Sequence, residues 1–449
     1  MAKVKTRYIC NNCGAESSVW AGKCFNCGEW NTLEEAVVAS SSPGNSGGSG
    51  TRLQPTSSQQ AVKSDEKRLK SGLDDVDVVL GGGVVAGSVI LLAGEPGIGK
   101  STLLLQLADA VAAGHSVLYV SGEESVHQVG LRAKRLGAGS KGLQIASSTR
   151  VEDIEASINS GAFNLVVVDS IQTIGTDRLT SSPGSVSQIT SCTTLLMQAA
   201  KQSNTALLLV GHVTKDGSIA GPKLLEHIVD VVLQLEGDRY GGFKVLRGMK
   251  NRFGSTNEVA ILEMNDKGMQ VVDNPSKALL AERQITDGSV VLATMEGSRP
   301  ILVEVQALVN KTSYGYPKRT ASGIDLNRLN LLVAMLERRT KLNLSDKDIY
   351  INIVGGIKVT EPAADLAICL AIGSASKGLQ LKQNAAVFGE VGLSGEVRHV
   401  PYVEKRIAEA KKMGLEVAIG PKPRDSSSKD KLLYPVKDVR TALNTFLEY

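Results

Sequence analysis

The tightest constraint in this sequence is an apolar run that turns through glycines into a second apolar pattern. Val89-Ile90-Leu91-Leu92 reads as a strand, Gly94-Glu95-Pro96-Gly97-Ile98-Gly99-Lys100-Ser101-Thr102 as a tight turn, and Thr102 to Ala108 as a helix ending near Gly114. This is the G-x-x-x-x-G-K-[ST] phosphate-binding loop in the strand-loop-helix setting it requires, which a chance Gly-rich turn does not reproduce. Its glycines let backbone N–H groups wrap an anion, and the helix that follows turns the positive end of its dipole to the same place. Lys100 adds a point charge for the β- and γ-phosphates of ATP, and the Ser101 hydroxyl suits the shell of a Mg²⁺ ion.

Downstream, apolar β-branched runs alternate with helical patterns. Val117 to Ser121, Leu165 to Asp169, Ala206 to Gly211 and Asp230 to Leu235 read as strands; Val126 to Leu136, Val151 to Ser160 and Val186 to Gln202 read as helices. Strands without polar alternation are buried on both faces, so the expected fold class is α/β with a mostly parallel sheet and chemistry at its carboxyl edge. Three strand ends carry suitable groups. Asp169 suits the Mg²⁺ water shell. Glu123 is placed to orient the attacking water, with the acidic pair Glu123-Glu124 at a helix start as the plainer reading. His212 reads either as a γ-phosphate sensor or as a satisfied structural histidine. Two polar loops leave the same edge, one with Arg178 and one with Lys215 and Lys223. They are candidates for gripping a phosphodiester backbone, against the alternative of solvated loops.

Four of the six cysteines lie between Cys10 and Cys27. Cys10-x-x-Cys13 and Cys24-x-x-Cys27, each closed by glycine, are knuckles for a structural Zn²⁺ with four sulfurs, and a redox dithiol is the weaker reading. Trp20 and Trp30 are the expected apolar payload of so small a module. A Ser/Gly/Pro/Gln-rich stretch after it reads as a tether. The expected layout is therefore a zinc module over 1–38, a linker over 39–69, an ATPase domain over 70–274 and a last domain over 275–449. Cys192 and Cys369 sit in apolar helical patterns and read as core residues.

Fifty basic and 46 acidic residues give a net charge of only +4, so charge alone names no nucleic-acid partner. The uncharged run from Val78 to Gly94 contains Gly81-Gly82-Gly83 and reads as a turn and buried strand rather than a membrane span. No leader pattern opens the sequence, so a cytoplasmic protein without membrane partners is expected.

Lys250-Asn251-Arg252-Phe253-Gly254 follows a hairpin. If extended, it puts Lys250 and Arg252 on one face, either as a basic hairpin end or as cations reaching a neighbour's γ-phosphate. Together, the paired knuckles, the phosphate loop and this signature resemble the bacterial RadA (Sms) family of DNA repair and recombination proteins over essentially the whole chain. The resemblance implies a RecA-like ATPase core in a hexameric ring and binding of single-stranded and branched DNA. It also implies helicase-driven branch migration of recombination intermediates alongside RecA recombinase, with Lys250 and Arg252 acting in trans. An ATP-gated DNA-binding scaffold without processive translocation is the alternative.

The last domain resembles the proteolytic domain of Lon through Thr360-Glu361-Pro362-Ala363-Ala364-Asp365 and Gly389-Glu390-Val391-Gly392-Leu393-Ser394-Gly395. Ala363 stands at the family's serine and Glu404, with Lys405 adjacent, at its lysine, which points to a scaffold rather than a protease. Lys318 and Arg319, beside Tyr314 and Tyr316, mix cations with aromatics in a manner suited to DNA contact, or form a solvated loop.

Overall fold

A computed structural model describes residues 5–10, 15–38, 68–212, 224–237, 242–313, 315–382, 384–422 and 430–447. Cys13, Lys215, Lys223, Tyr314 and the linker residues 39–67 lie outside these, as does the side chain of His212. The chain divides into two compact units, residues 1–239 with 244–271, and residues 240–243 with 272–449.

In the first unit, β1 (Lys5–Cys10), β2 (Glu16–Ser17) and β3 (Leu33–Val38) form a small antiparallel sheet in the order β2-β1-β3. The larger sheet contains β4 (Val89–Gly94), β5 (Val117–Ser121), β6 (Leu143–Ser147), β7 (Leu165–Asp169), β8 (Ala206–His212), β9 (Val231–Gly237), β10 (Phe243–Asn251), β11 (Val259–Asn265) and β12 (Gly268–Val271). Their order is β12-β11-β10-β9-β4-β8-β7-β5-β6. The six strands from β9 to β6 are parallel, while β10 runs antiparallel to β9. β4, β5 and β7 are buried at every position, as their unalternating sequences require.

Helices cover both faces: α1 (Asp74–Val79), α2 (Lys100–Ala112), α3 (Val126–Leu136), α4 (Val151–Asn159), α5 (Val186–Ser203) and the short α6 (Leu224–Ile228). One face packs Ile90, Leu92 and Tyr119 with residues of α2 and α3; the other packs Val89, Leu91 and Val166 with α4 and α5. Cys192 is fully buried in the second layer. α3 begins where expected because Ser125 and Gln128 make a reciprocal capping box. β8 lies between the phosphate-loop strand β4 and the Asp169 strand β7, the strand order of a RecA-like core.

The second unit opens with α7 (Pro275–Leu280) and is a Lon-protease-like α/β domain. Its seven-stranded sheet comprises β13 (Ser289–Glu296), β14 (Arg299–Lys311), β15 (Arg319–Ser322), β16 (Lys347–Ile353), β17 (Ala385–Val387), β20 (Val417–Gly420) and β21 (Leu433–Pro435), in the order β15-β16-β14-β13-β17-β20-β21. β18 (Glu390–Val391) and β19 (Val397–Arg398) pair separately. α8 (Leu326–Thr340), α9 (Asp365–Lys377), α10 (Val403–Lys412) and α11 (Val439–Phe446) complete it. Cys369 on α9 is fully buried. No described helix is long and apolar enough to cross a membrane.

One ion pair organises the Lon-like elements. Arg406 has no exposed surface and donates from Nη1 and Nη2 to the two carboxylate oxygens of Glu361, at 2.8 and 2.6 Å. Glu361 Oε1 also accepts from Thr294 Oγ1 and the Met295 amide, and Arg406 lies over the Phe388 ring. Removing one partner of a buried, bonded charge pair strands the other. Glu361→Ala is therefore expected to cost this unit about 3–5 kcal/mol in a denaturant titration. A loss below about 1 kcal/mol would mean that the pair does not hold these elements together.

Candidate functional site

The turn after β4 runs through two left-handed glycines into the first turn of α2. Gly97 and Gly99 have φ of 81° and 111°, and Gly99 precedes α2 without a side-chain cap, so the first-turn N–H groups face outward for an anion. At Gly94 a Cβ would stand 2.7 Å from the Leu235 carbonyl oxygen, so the strand end admits glycine alone without movement. Lys100 is only 4% exposed and donates from Nζ to the carbonyls of Gly94 and Glu95, both at 2.9 Å. Burial pulls its pKa down to about 8, partly opposed by Asp169, Glu123 and Glu95. A polyanion seated in the loop restores the charge that burial disfavours.

Asp169 and Glu123 meet at the same edge. Asp169 ends β7, and its Oδ2 accepts from Tyr119 Oη at 2.6 Å. Ser170, joined to Asp169 by a cis peptide bond, donates from Oγ to Glu123 Oε1 at 2.6 Å. Glu124 is instead engaged by Arg132 at 2.5 Å, which separates the two members of the acidic pair. Burial, followed by the Asp169 carboxylate, raises the Tyr119 pKa, so the phenol stays protonated. The Ser101 hydroxyl and the Asp169 carboxylate are hard oxygen donors of the kind Mg²⁺ takes. His212 ends β8 opposite Gly94.

Lys250 and Arg252 converge at the other edge of the sheet. Lys250 Nζ donates to the carbonyls of Glu226, His227 and Val229 at 2.7, 3.3 and 2.7 Å, and burial followed by Arg252 lowers its pKa. Arg252 Nη1 lies 3.2 Å from Asp230 Oδ1, and Asp230 is tied to the first residue of β4 by hydrogen bonds in both directions with Val89. A bulge between Gly248 and Lys250 sets this aim. The remaining residues of the signature serve the architecture: Asn251 Nδ2 donates to the Val79 carbonyl, and Gly254 sits so close to Gly81 that a Cβ would be 2.7 Å from its Cα.

Arg178 is 60% exposed and within 4.0 Å of Glu152 and Glu155. Its loop is ordered by buried Gln188, whose side chain bonds Thr176, Leu179 and Ser181. Lys318 and Arg319 adjoin at the start of edge strand β15, beside Tyr316, which is 87% exposed. Ala363 is 1% exposed; Glu404 is exposed, and Lys405 Nζ donates to the Ser298 carbonyl at 3.0 Å.

In the amino-terminal module, the thiols of Cys10, Cys24 and Cys27 lie within 4.8 Å of one another, with Cys10 and Cys27 at 3.6 Å. A tetrahedron with Zn–S of about 2.3 Å has S···S edges of about 3.8 Å, so the group fits zinc. Trp20 and Trp30, expected inside, are 56% and 68% exposed, and the core here is sulfur with Leu33. With only Cys10, Cys24 and Leu33 buried among the described residues of the module, the metal must carry most of the folding energy.

Residues 8–35 match a family model described as a rubredoxin metal binding domain, 54–218 an AAA domain, and 331–423 subunit ChlI of Mg-chelatase. DNA repair protein RadA of Bacillus subtilis is 49% identical over 94% of this chain and 93% of its own length. RadA of Aquifex aeolicus is 45% identical over 99% of both chains, and that of Pseudomonas aeruginosa 47% over 94% of both. This chain belongs to the RadA family of DNA repair proteins. An AAA domain and that family support an ATP-hydrolysing enzyme. The zinc-ribbon match and the sulfur cluster together mark the first module as zinc-binding, with Cys13 as the expected fourth ligand. Purified protein is expected to release one zinc per chain on thiol modification, read with a colorimetric chelator. Cys24→Ser is expected to abolish that release, and undiminished zinc in the variant would break the assignment.

Proposed function

We propose that this RadA-family protein is a DNA-dependent ATPase and helicase that works between subunits of a hexameric ring in the cytoplasm. It binds single-stranded DNA and promotes branch migration with RecA. In cis, Lys100 and the loop Gly94–Thr102 hold the triphosphate, Ser101 and Asp169 hold the metal's oxygen shell, and Glu123 orients the attacking water. Bound there, Mg²⁺ would offset negative charge on the phosphates during hydrolysis. His212 is read as the γ-phosphate sensor. Arg178, Lys215, Lys223, Lys318 and Arg319 are read as polynucleotide contacts.

The observation that carries the intersubunit reading is the position of Lys250 and Arg252. They gather around Val229 and Asp230, beside the first residue of β4, while the phosphate loop leaves its last. The length of β4, about 16 Å at ~3.3 Å per residue, separates them. Within one chain neither cation reaches its own loop, so a γ-phosphate contact belongs to a neighbour's. Lys250 must first leave three carbonyls of its own chain, which also favours a second reading, an ATP-gated DNA-binding scaffold. Displacement of an annealed strand under ATP separates the two. Proteolysis is disfavoured, because the buried methyl group of Ala363 offers no nucleophile.

Lys100→Ala is expected to abolish ATP hydrolysis; unchanged turnover would remove the reading. Arg252→Ala is expected to bind a fluorescent ATP analogue normally while losing DNA-stimulated turnover by about 10³-fold, as loss of a charge finger does. Retained stimulation in that variant would make Arg252 a purely structural partner of Asp230.

A further inference from the structure

We propose that Tyr119 is a positioning residue for ATP hydrolysis: its phenol fixes one oxygen of the Asp169 carboxylate and leaves the other for the metal's shell. The inference rests on the assignment of Asp169 to that shell.

Asp169 pairs in register with Ser121 on β5, and Tyr119 lies two residues before Ser121, so the Tyr119 ring stands on the same side of β5 as Ser121. Tyr119 has no exposed surface and packs in the layer formed with α2 and α3, the helix opened by the phosphate loop and its neighbour. A phenol buried there needs a partner, and its Oη donates to Asp169 Oδ2 at 2.6 Å. Phenylalanine fills the same apolar layer without bringing a hydroxyl to be satisfied, so packing alone does not account for tyrosine.

The choice of donor matters chemically. A guanidinium at this place would neutralise the carboxylate and compete with a divalent cation; a phenol O–H fixes its orientation and leaves its charge. The nearby guanidinium of Arg132 is drawn to Glu124 instead, at 2.5 Å. The carboxylate is thus held from behind by a neutral donor, as metal-binding carboxylates commonly are.

The test is a Mg²⁺ titration of ATP turnover in the full chain. Tyr119→Phe is expected to keep the thermal midpoint and the affinity for a fluorescent ATP analogue in EDTA. It should raise the Mg²⁺ concentration for half-maximal turnover by about 10-fold or more, the scale on which such outer partners act. A purely structural role leaves that midpoint in place, and an unchanged midpoint overturns the inference whatever happens to kcat. Tyr119→Leu, equally without a donor, must shift it in the same direction; if neither variant folds, the hydroxyl is structural and the inference is overturned. Asp169→Asn, run in parallel, separates the two levels. Wild-type turnover in that variant removes the metal assignment and this inference together, whereas a dead Asp169→Asn beside an unaffected Tyr119→Phe removes only the inference.

Discussion

The burial of β4 on both faces and between parallel neighbours governs the ATPase unit. A strand with no wet face leaves its backbone polar groups no partner but the adjoining strands, so it is held rigidly and ends abruptly. At that end the chain must turn at once into α2, and only glycine tolerates the approach of the Leu235 carbonyl and the left-handed backbone that follows. The N–H groups left over at the turn are what a phosphate chain needs. Lys100 is buried among carbonyls and carboxylates, where its charge is costly until an anion arrives.

The same rigidity divides labour between the two edges of the sheet. The carboxyl edge gathers Asp169, Glu123 and the Arg178 loop; the amino edge gathers Asp230, Lys250 and Arg252. Five consecutive residues therefore answer to different demands. Asn251 and Gly254 lock the strand end onto the 79–81 turn, while beyond a bulge the two cations gather on the Glu226 and Val229 carbonyls and on Asp230, from which the proposed function has them act across a subunit boundary. In the second unit the Glu361–Arg406 pair ties the segment leading to Ala363 to the helix that follows Tyr402. A satisfied ion pair of this kind fixes one arrangement of the elements it joins.

Much of this was legible in the sequence because it is local. The phosphate loop is a contiguous signal, the buried strands lack alternation, and Val126 to Leu136 carries a helical pattern that the structure confirms as α3. What could not be read depends on register and distance. The Tyr119–Asp169 bond joins residues 50 apart and needs the alignment of β5 with β7. The grip of Gln188 on the Arg178 loop and the clasp of Lys250 on α6 likewise follow from tertiary placement. Trp20 and Trp30 misled for another reason: size suggests burial, but thiols meant for a metal had already claimed the small interior. The division between Glu123 and Glu124 turned on Arg132, eight residues further along, which no spacing rule identifies.

The central claim is that one chain's phosphate loop and another chain's Arg252 form a single hydrolytic site. Mixing chains carrying Lys100→Ala with chains carrying Arg252→Ala, each inactive alone, tests it most directly, with co-assembly checked by native mass. The account predicts that the mixture regains DNA-stimulated ATP hydrolysis, because some boundaries then pair an intact loop with an intact arginine. Co-assembled mixtures that stay inactive at every ratio would contradict it.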